Sequence, residues 1–284
     1  MNLVEYLARA SEYLDRQGVA SARLNAELML SSLLGISRLE IYTNFERPLS
    51  DEDAAAFKQM LMKRAGGCPL QHITGEVGFR GLVLEVRPGV FIPRPETEVL
   101  VEKALEVLPA DTPARVLDLG SGSGNIALSV AAELPGSTVT AVDTDDAAVR
   151  LTRANAARAG VSESVEVMSG DLFEPLSGEA AFDLIISNPP YIPEGMRESL
   201  PAEVRDFEPA GALFAGPEGL DLIRRIVAGA PGHLAEGGWL ALEVDESHAE
   251  RVEEMLAGDG WAEVEVFQDM AGRPRVVRAR WLVR

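Results

Sequence analysis

The sequence predicts an α/β fold: a doubly wound, mostly parallel seven-stranded sheet, with a small N-terminal helical domain and a β-hairpin linker. Three observations predict it. From residue 114 onward, short apolar runs alternate with helical patterns, as βα units do. The first of these runs, Val116-Leu117-Asp118-Leu119, enters the glycine-rich turn Gly120-Ser121-Gly122-Ser123-Gly124. Residues 1–72 instead place their apolar side chains at helical spacing.

In chain order, Leu3, Leu7, Ala10, Tyr13 and Leu14 mark a first helix. Ser21 is placed to cap a second, which carries Leu24, Ala26, Leu28, Met29 and Leu33 and stops near Gly35. Ser50-Asp51-Glu52-Asp53 opens another helix with acidic residues at its positive end, followed by Phe57, Met60 and Leu61. Between 73 and 93, Gly75, Gly78, Gly81 and Gly89 punctuate an apolar set from Phe79 to Val90, which predicts a β-hairpin joining two domains. Pro93-Arg94-Pro95-Glu96-Thr97-Glu98 starts a helix running through Leu105. Strands are expected at 115–119, 138–142, 164–168, 183–187 and 239–244, with helices at 126–133, 145–159, 220–230 and 248–257. Strands at 263–268 and 275–283 close the chain. The expected division is a helical domain (1–72), a hairpin linker (73–93) and an α/β domain (94–284).

With 46% hydrophobic and 25% charged residues, the chain has an ordinary globular composition. No apolar run approaches the roughly 18 residues of a membrane span. The N-terminus lacks the basic flank and apolar core of a signal peptide. Cys68 is the only cysteine, so no internal disulfide can form. These features favour the cytoplasm. A net charge of −19 argues against duplex binding, which draws on phosphate neutralisation, and for a protein or small-molecule substrate or a basic partner. The Arg-rich stretch 273–284 reads as an alternating, half-buried strand. His72, His233 and His248 are scattered, so no metal site is expected.

The chemistry concentrates at Asn188-Pro189-Pro190-Tyr191, directly after the apolar run 182–187. Proline ends a ladder because it has no N–H to donate. An amide, an exposed carbonyl and an aromatic ring held rigidly together suit a planar group carrying an NH2. Glycines in the 120–124 turn let the backbone approach a ligand, although a tight structural turn has the same composition. Asp143, at the tip of the second strand and about twenty residues beyond the turn, suits a ribose diol. Asp145 can cap the next helix and leave Asp143 free. Asp171 and Leu172, after the third strand, could border an adenine or simply form a loop.

These motifs, together with Pro69–Glu76, Pro88–Glu98, Glu203–Pro209 and Asp269–Arg273, make the chain similar to class I S-adenosylmethionine-dependent methyltransferases. More specifically, it resembles the HemK/PrmC family of release-factor glutamine-N5 methyltransferases. The most specific segments are Ile92-Pro93-Arg94-Pro95-Glu96-Thr97-Glu98 and Val204-Arg205-Asp206-Phe207-Glu208-Pro209. The resemblance implies S-adenosyl-L-methionine as cofactor, S-adenosyl-L-homocysteine as product and class I peptide-chain release factors as substrate. It places Gly120, Ser121, Gly122, Ser123 and Gly124 at the methionine part of the cofactor, Asp143 at its ribose, and Asp171 and Leu172 at its adenine. Asn188, Glu96 and Thr97 also belong to the cofactor site. Asn188, Pro189, Pro190, Tyr191, Pro93 and Arg94 would hold substrate, with Asn188, Pro189 and Tyr191 as the catalytic group.

A monomer that binds no nucleic acid or membrane directly is expected, and the resemblance implies a helical domain that grips the release factor. Glu46, Asp51 and Glu52 could meet basic surfaces of that partner. Relatives usually carry glycine where this chain has Asp245, a departure expected to lie away from the site. Three other readings share parts of the pattern. They are a ribosomal-protein glutamine methyltransferase, an adenine-N6 methyltransferase, which should carry a basic groove, and a non-catalytic scaffold.

Overall fold

The computed structural model describes residues 2–44, 46–109, 112–176, 181–258 and 260–282. Val283, the last residue of the expected closing strand, lies outside them. The chain forms two compact units. One holds the residues up to Glu76 together with Pro201–Phe207; the other holds Val77–Leu200 and the residues from Glu208 onward.

The first unit is helical: α1 (Leu3–Arg16), α2 (Ala22–Leu34), α3 (Arg38–Thr43), α4 (Asp51–Ala65) and α5 (Leu70–Thr74). Asn2 and Glu5 close a capping box on α1. Leu3, Leu7, Ala10 and Leu14 share its buried face and pack against Met29, Leu30, Ile41 and Phe57; Tyr13 stays exposed. Ser50 caps α4 by accepting the Asp53 N–H at 3.0 Å. Ser21 does not cap α2 with its side chain: it sits in the left-handed region at φ 51°. Asn25 instead braces the turn before α2, its Nδ2 donating to the carbonyls of Ala20 and Ser21 at 3.1 and 3.2 Å.

The second unit begins with a hairpin, β1 (Glu76–Phe79) and β2 (Leu82–Glu85), and α6 (Thr97–Leu105). It continues through β3 (Arg115–Leu119), α7 (Asn125–Glu133), β4 (Thr138–Asp143), α8 (Asp146–Ala159), β5 (Val165–Ser169) and β6 (Phe182–Ser187). A short helix, α9 (Ala202–Arg205), returns to the first unit, where Arg64 meets Glu203 at 2.9 Å. Then come α10 (Asp221–Gly229), β7 (Leu234–Glu243), α11 (Ala249–Leu256), β8 (Trp261–Gln268) and β9 (Pro274–Trp281).

The seven-stranded sheet runs β5-β4-β3-β6-β7-β9-β8. Every pair from β5 to β7 is parallel, and β9 runs antiparallel to both β7 and β8. Both faces are buried, as a parallel sheet requires. Val116, Leu184 and Ile186 face the core under α6 and α7, while Leu117 and Ile185 face the core under α10 and α11. β7 is longer than expected. It starts ahead of the expected residue 239 and includes Gly237-Gly238, where the chains approach closely: a Cβ at 238 would lie 2.9 Å from the Phe182 carbonyl. The strand order reverses between β3 and β6, so the carboxyl ends of these strands and of β4 open a crevice.

Candidate active site

The glycine loop leaves β3 and is tied to its neighbours through the backbone. The N–H groups of Gly120 and Ser121 donate to the Val142 carbonyl at 2.8 and 3.1 Å, and that of Gly122 donates to Asp143 Oδ2 at 2.8 Å. Gly120, Gly122 and Gly124 all have positive φ, at 76°, 56° and 86°. A Cβ at Gly124 would press on Thr152 and Leu128 at 3.0 to 3.2 Å, whereas positions 120 and 122 have nothing within 4 Å. The loop is therefore packed on one side and open on the other. From behind, the Thr152 hydroxyl donates to the Gly122 carbonyl at 3.1 Å and Asn155 Nδ2 to the Ser123 carbonyl at 2.9 Å.

Asp143 ends β4. It holds Gly122 through one oxygen and the Asp145 N–H at 2.9 Å through the other. Burial raises its pKa, while its backbone hydrogen bonds oppose the shift. Asp145 caps α8 by accepting the Ala147 N–H at 2.8 Å. Leu172 is buried beside Val142 with φ 51°. Asp171 gives one carboxylate oxygen to Arg225 at 2.8 Å.

Asn188 follows β6, whose last residue, Ser187, donates its hydroxyl to the Leu119 carbonyl at 2.6 Å. The two strand ends that carry the glycine loop and Asn188 are thus bonded together. Asn188 Nδ2 donates to Thr97 Oγ1 at 3.0 Å, at the start of α6. Pro189 is buried, and Tyr191 packs on the apolar cluster under α10 and α11. Burial pushes the Tyr191 phenol up, so the ring is a neutral wall at working pH. Ile192 exchanges backbone hydrogen bonds with Leu213 and Ala215 at 2.9 and 3.1 Å, bracing the loop after the motif. Pro93 is buried; Arg94 pairs with the buried Glu208; Glu96 lies 3.8 Å from Arg273. The structure brings Thr97, Asn188 and Tyr191 to one place, and the glycine loop and Asp143 to the strand ends beside it.

Two family profiles match, the PrmC N-terminal domain over residues 5–75 and the methyltransferase small domain over residues 85–205. The release factor glutamine methyltransferase of Geobacter sulfurreducens is 45% identical, covering 94% of this chain and 93% of its own length. That of Deinococcus radiodurans is 40% identical, with 99% of both chains covered. The chain belongs to the release factor glutamine methyltransferase family. Among solved structures, the catalytic domain of hMettl16 shares the fold with TM-score 0.57 at 17% identity over 82% of both chains. A ribosomal protein L11 methylase from Lactobacillus delbrueckii does so with TM-score 0.51 at 21% identity, over 70% of this chain and 84% of its own.

Several polar residues around this methyltransferase site escaped sequence reasoning. Asp118 is fully buried in β3, accepts the Ala127 N–H at 3.1 Å and is raised to about 7 by burial. Its signal was a lone carboxylate inside an apolar strand. Thr152 and Asn155 signalled themselves only as polar residues three apart on the buried face of α8. Glu243, at the end of β7, lies within hydrogen-bonding reach of both Thr97 and Asn188. Asp245 does not sit apart from the site as expected: Asp245 and Glu243 both act electrostatically on Tyr191. The parallel register explains it. Ser187 pairs with Leu242, so the residues after them emerge side by side. Among the described residues no group of three or more His, Cys, Asp or Glu could hold a metal.

Proposed function

We propose that this chain transfers a methyl group from S-adenosylmethionine to the side-chain amide nitrogen (N5) of the glutamine in the Gly-Gly-Gln loop of class I release factors. The observation that carries the proposal is the orientation of Asn188. Its amide nitrogen is turned to Thr97, which leaves Oδ1 free to accept from a substrate NH2. Relatives at 36–45% identity over nearly their whole length are release factor glutamine methyltransferases, which supports the substrate.

The cofactor fits the residues present. Gly120 and Gly122 leave open space where a Cβ would stand, and a carboxylate fixed by two N–H groups stands at the tip of β4. Gly120 to Gly124 would border the methionine part, Asp143 the ribose, and Leu172 with Asp171 the adenine. Glu96 and Thr97 would complete the cofactor side. When bound, this group supplies an electrophilic methyl.

The nitrogen of a glutamine amide is a weak nucleophile because its lone pair is delocalised into the carbonyl. Alignment and charge placement are therefore the work left to the protein. Asn188 Oδ1 and the Pro189 backbone carbonyl accept from the substrate NH2, direct its lone pair and stabilise the charge that develops there. Tyr191 packs on the flat amide. Its raised pKa fits this packing role and not that of a base; the methylated nitrogen loses its proton to water. Pro93, Pro190 and Arg94 flank the approach, with Glu208 holding the Arg94 guanidinium in place.

The helical residues 1–72 would grip the body of the release factor, and the hairpin at 73–93 joins them to the catalytic domain 94–284. The charge of −19 favours a protein partner over direct nucleic-acid contact, and the reading further takes the chain to act as a cytoplasmic monomer. No described helix is long and apolar enough to cross a membrane.

The test is transfer of labelled methyl to unmodified release factor, beside a Gln→Ala loop variant and an Asn188→Ala enzyme. Label on the wild-type pair alone supports the reading. Label on ribosomal protein or RNA instead would keep a methyltransferase and discard this substrate.

A further inference from the structure

We propose that Glu243 is a positioning residue for Asn188, acting with Thr97 as a buried relay that decides which face of the Asn188 amide meets the substrate. The inference rests on the functional reading above. An asparagine amide has two ends of almost equal size. Only the oxygen end can accept from a substrate NH2, so a flipped side chain would present a second donor to a donor. Something must hold the nitrogen end inward.

The inward partners are both acceptors. Asn188 Nδ2 donates to Thr97 Oγ1 at 3.0 Å. A hydroxyl that accepts one such bond still has its own proton to donate. Glu243 lies within reach of the Thr97 hydroxyl and of the Asn188 amide, and both contacts favour its charged form. Thr97 is wholly buried and Glu243 is 1% exposed, so water cannot substitute for either partner. With Glu243 ionised, a flipped Asn188 would aim its carbonyl oxygen at a carboxylate; the inward nitrogen is therefore the stable arrangement.

Protonation reverses that preference. A carboxylic acid can donate, and then the amide oxygen becomes an acceptable inward neighbour. Glu243 Oε2 is buried and closes no hydrogen bond among the described residues, which leaves a place for that proton. The surroundings set the balance. Burial dominates and raises the group to about 7, with Glu96 pushing the same way and Arg275, Thr97 and Asn188 opposing. Tyr191, which feels both Glu243 and Asp245, stays neutral throughout. The working form is thus the ionised one, and the relay loses its directing power as pH falls through that region.

Two measurements test this. The first is the pH profile of kcat and KM for release-factor methylation in wild type, Glu243→Gln, Thr97→Val and the double variant. Misplacing a reacting group by about 1 Å lowers a rate roughly 10²-fold. Each single variant should therefore lose about 10- to 100-fold in kcat. The acid limb of the profile should vanish in Glu243→Gln, and the double variant should lose no more than the worse single. Wild-type kcat with the limb intact in Glu243→Gln overturns the relay. The second needs no release factor: the side-chain NH2 resonance of Asn188, assigned by its loss in Asn188→Asp, followed from pH 5.5 to 8.5. A titration with its midpoint near neutrality supports the relay. A flat response in the wild-type protein overturns it, whatever the true methyl acceptor.

Discussion

Asn155 Oδ1 accepts the backbone N–H of Glu85 at 2.7 Å, and its Nδ2 returns a bond to the Glu85 carbonyl at 3.0 Å. The same nitrogen donates to Ser123. One buried amide therefore couples the end of the hairpin to the glycine loop. Asn155→Ala removes all three bonds and strands buried backbone groups. It should destabilise the protein by about 3 kcal/mol and weaken cofactor binding. Chemical denaturation and calorimetric titration would measure both. An unchanged affinity would show that the loop holds its shape without Asn155.

Asp143→Ala should weaken cofactor binding more selectively. It deletes the acceptor of the Gly122 and Asp145 N–H groups together with the proposed ribose contact. Hydrogen bonds to a charged group contribute about 1.5–3 kcal/mol each, so Kd should rise on the order of 10- to 100-fold. Equal Kd values for the variant and wild type would move the ribose elsewhere.

Asp118 makes a pH-dependent prediction for stability. Burial raises its carboxyl to about 7. The folded state therefore favours the protonated acid. That contribution is complete below the unfolded pKa, near 4, and is lost as pH climbs through about 7. Unfolding free energies of wild type and Asp118→Asn should diverge across this window. The wild type should lose up to about 4 kcal/mol relative to the variant. A difference that is the same at pH 4.5 and pH 7.5 would rule burial out as the cause.

Gly219 has φ 73°, and a Cβ there would lie 2.2 Å from the Tyr191 carbonyl oxygen and 2.9 Å from His248 Cε1. Gly219→Ala must shift the chain that carries the Asn-Pro-Pro-Tyr segment. Turnover should fall about 10²-fold while affinity for the cofactor, proposed to bind at the glycine loop, changes far less. Loss of both together would point to a wider collapse.

Much of the second unit was legible in the sequence because its signals are local. The period of the apolar runs, the glycine turn after the first strand and the prolines after the fourth each act within a few residues. The helical capping pattern worked where the side chain itself closes the bond, as at Ser50, and failed at Ser21, where the backbone turns left-handed. What stayed hidden depends on register. Nothing near Glu243 in the chain points to Asn188. Their meeting follows from β7 lying beside β6 in parallel, with Leu242 opposite Ser187. Thr152 and Asn155 were invisible for a related reason: their partners are backbone groups 30 to 70 positions away along the chain.

The helical unit is assembled from two stretches of chain, because Pro201–Phe207 leaves the α/β unit to join the residues before Glu76. No single cut releases that unit intact, and no single crossover can graft it onto another member of the family. A chimera made by exchanging only the N-terminal helices would lose the matched Arg64 and Glu203 pair. Recombination that exchanges this unit must therefore carry both stretches at once, which ties the inheritance of the N-terminal helices to the loop that follows Asn188-Pro189-Pro190-Tyr191.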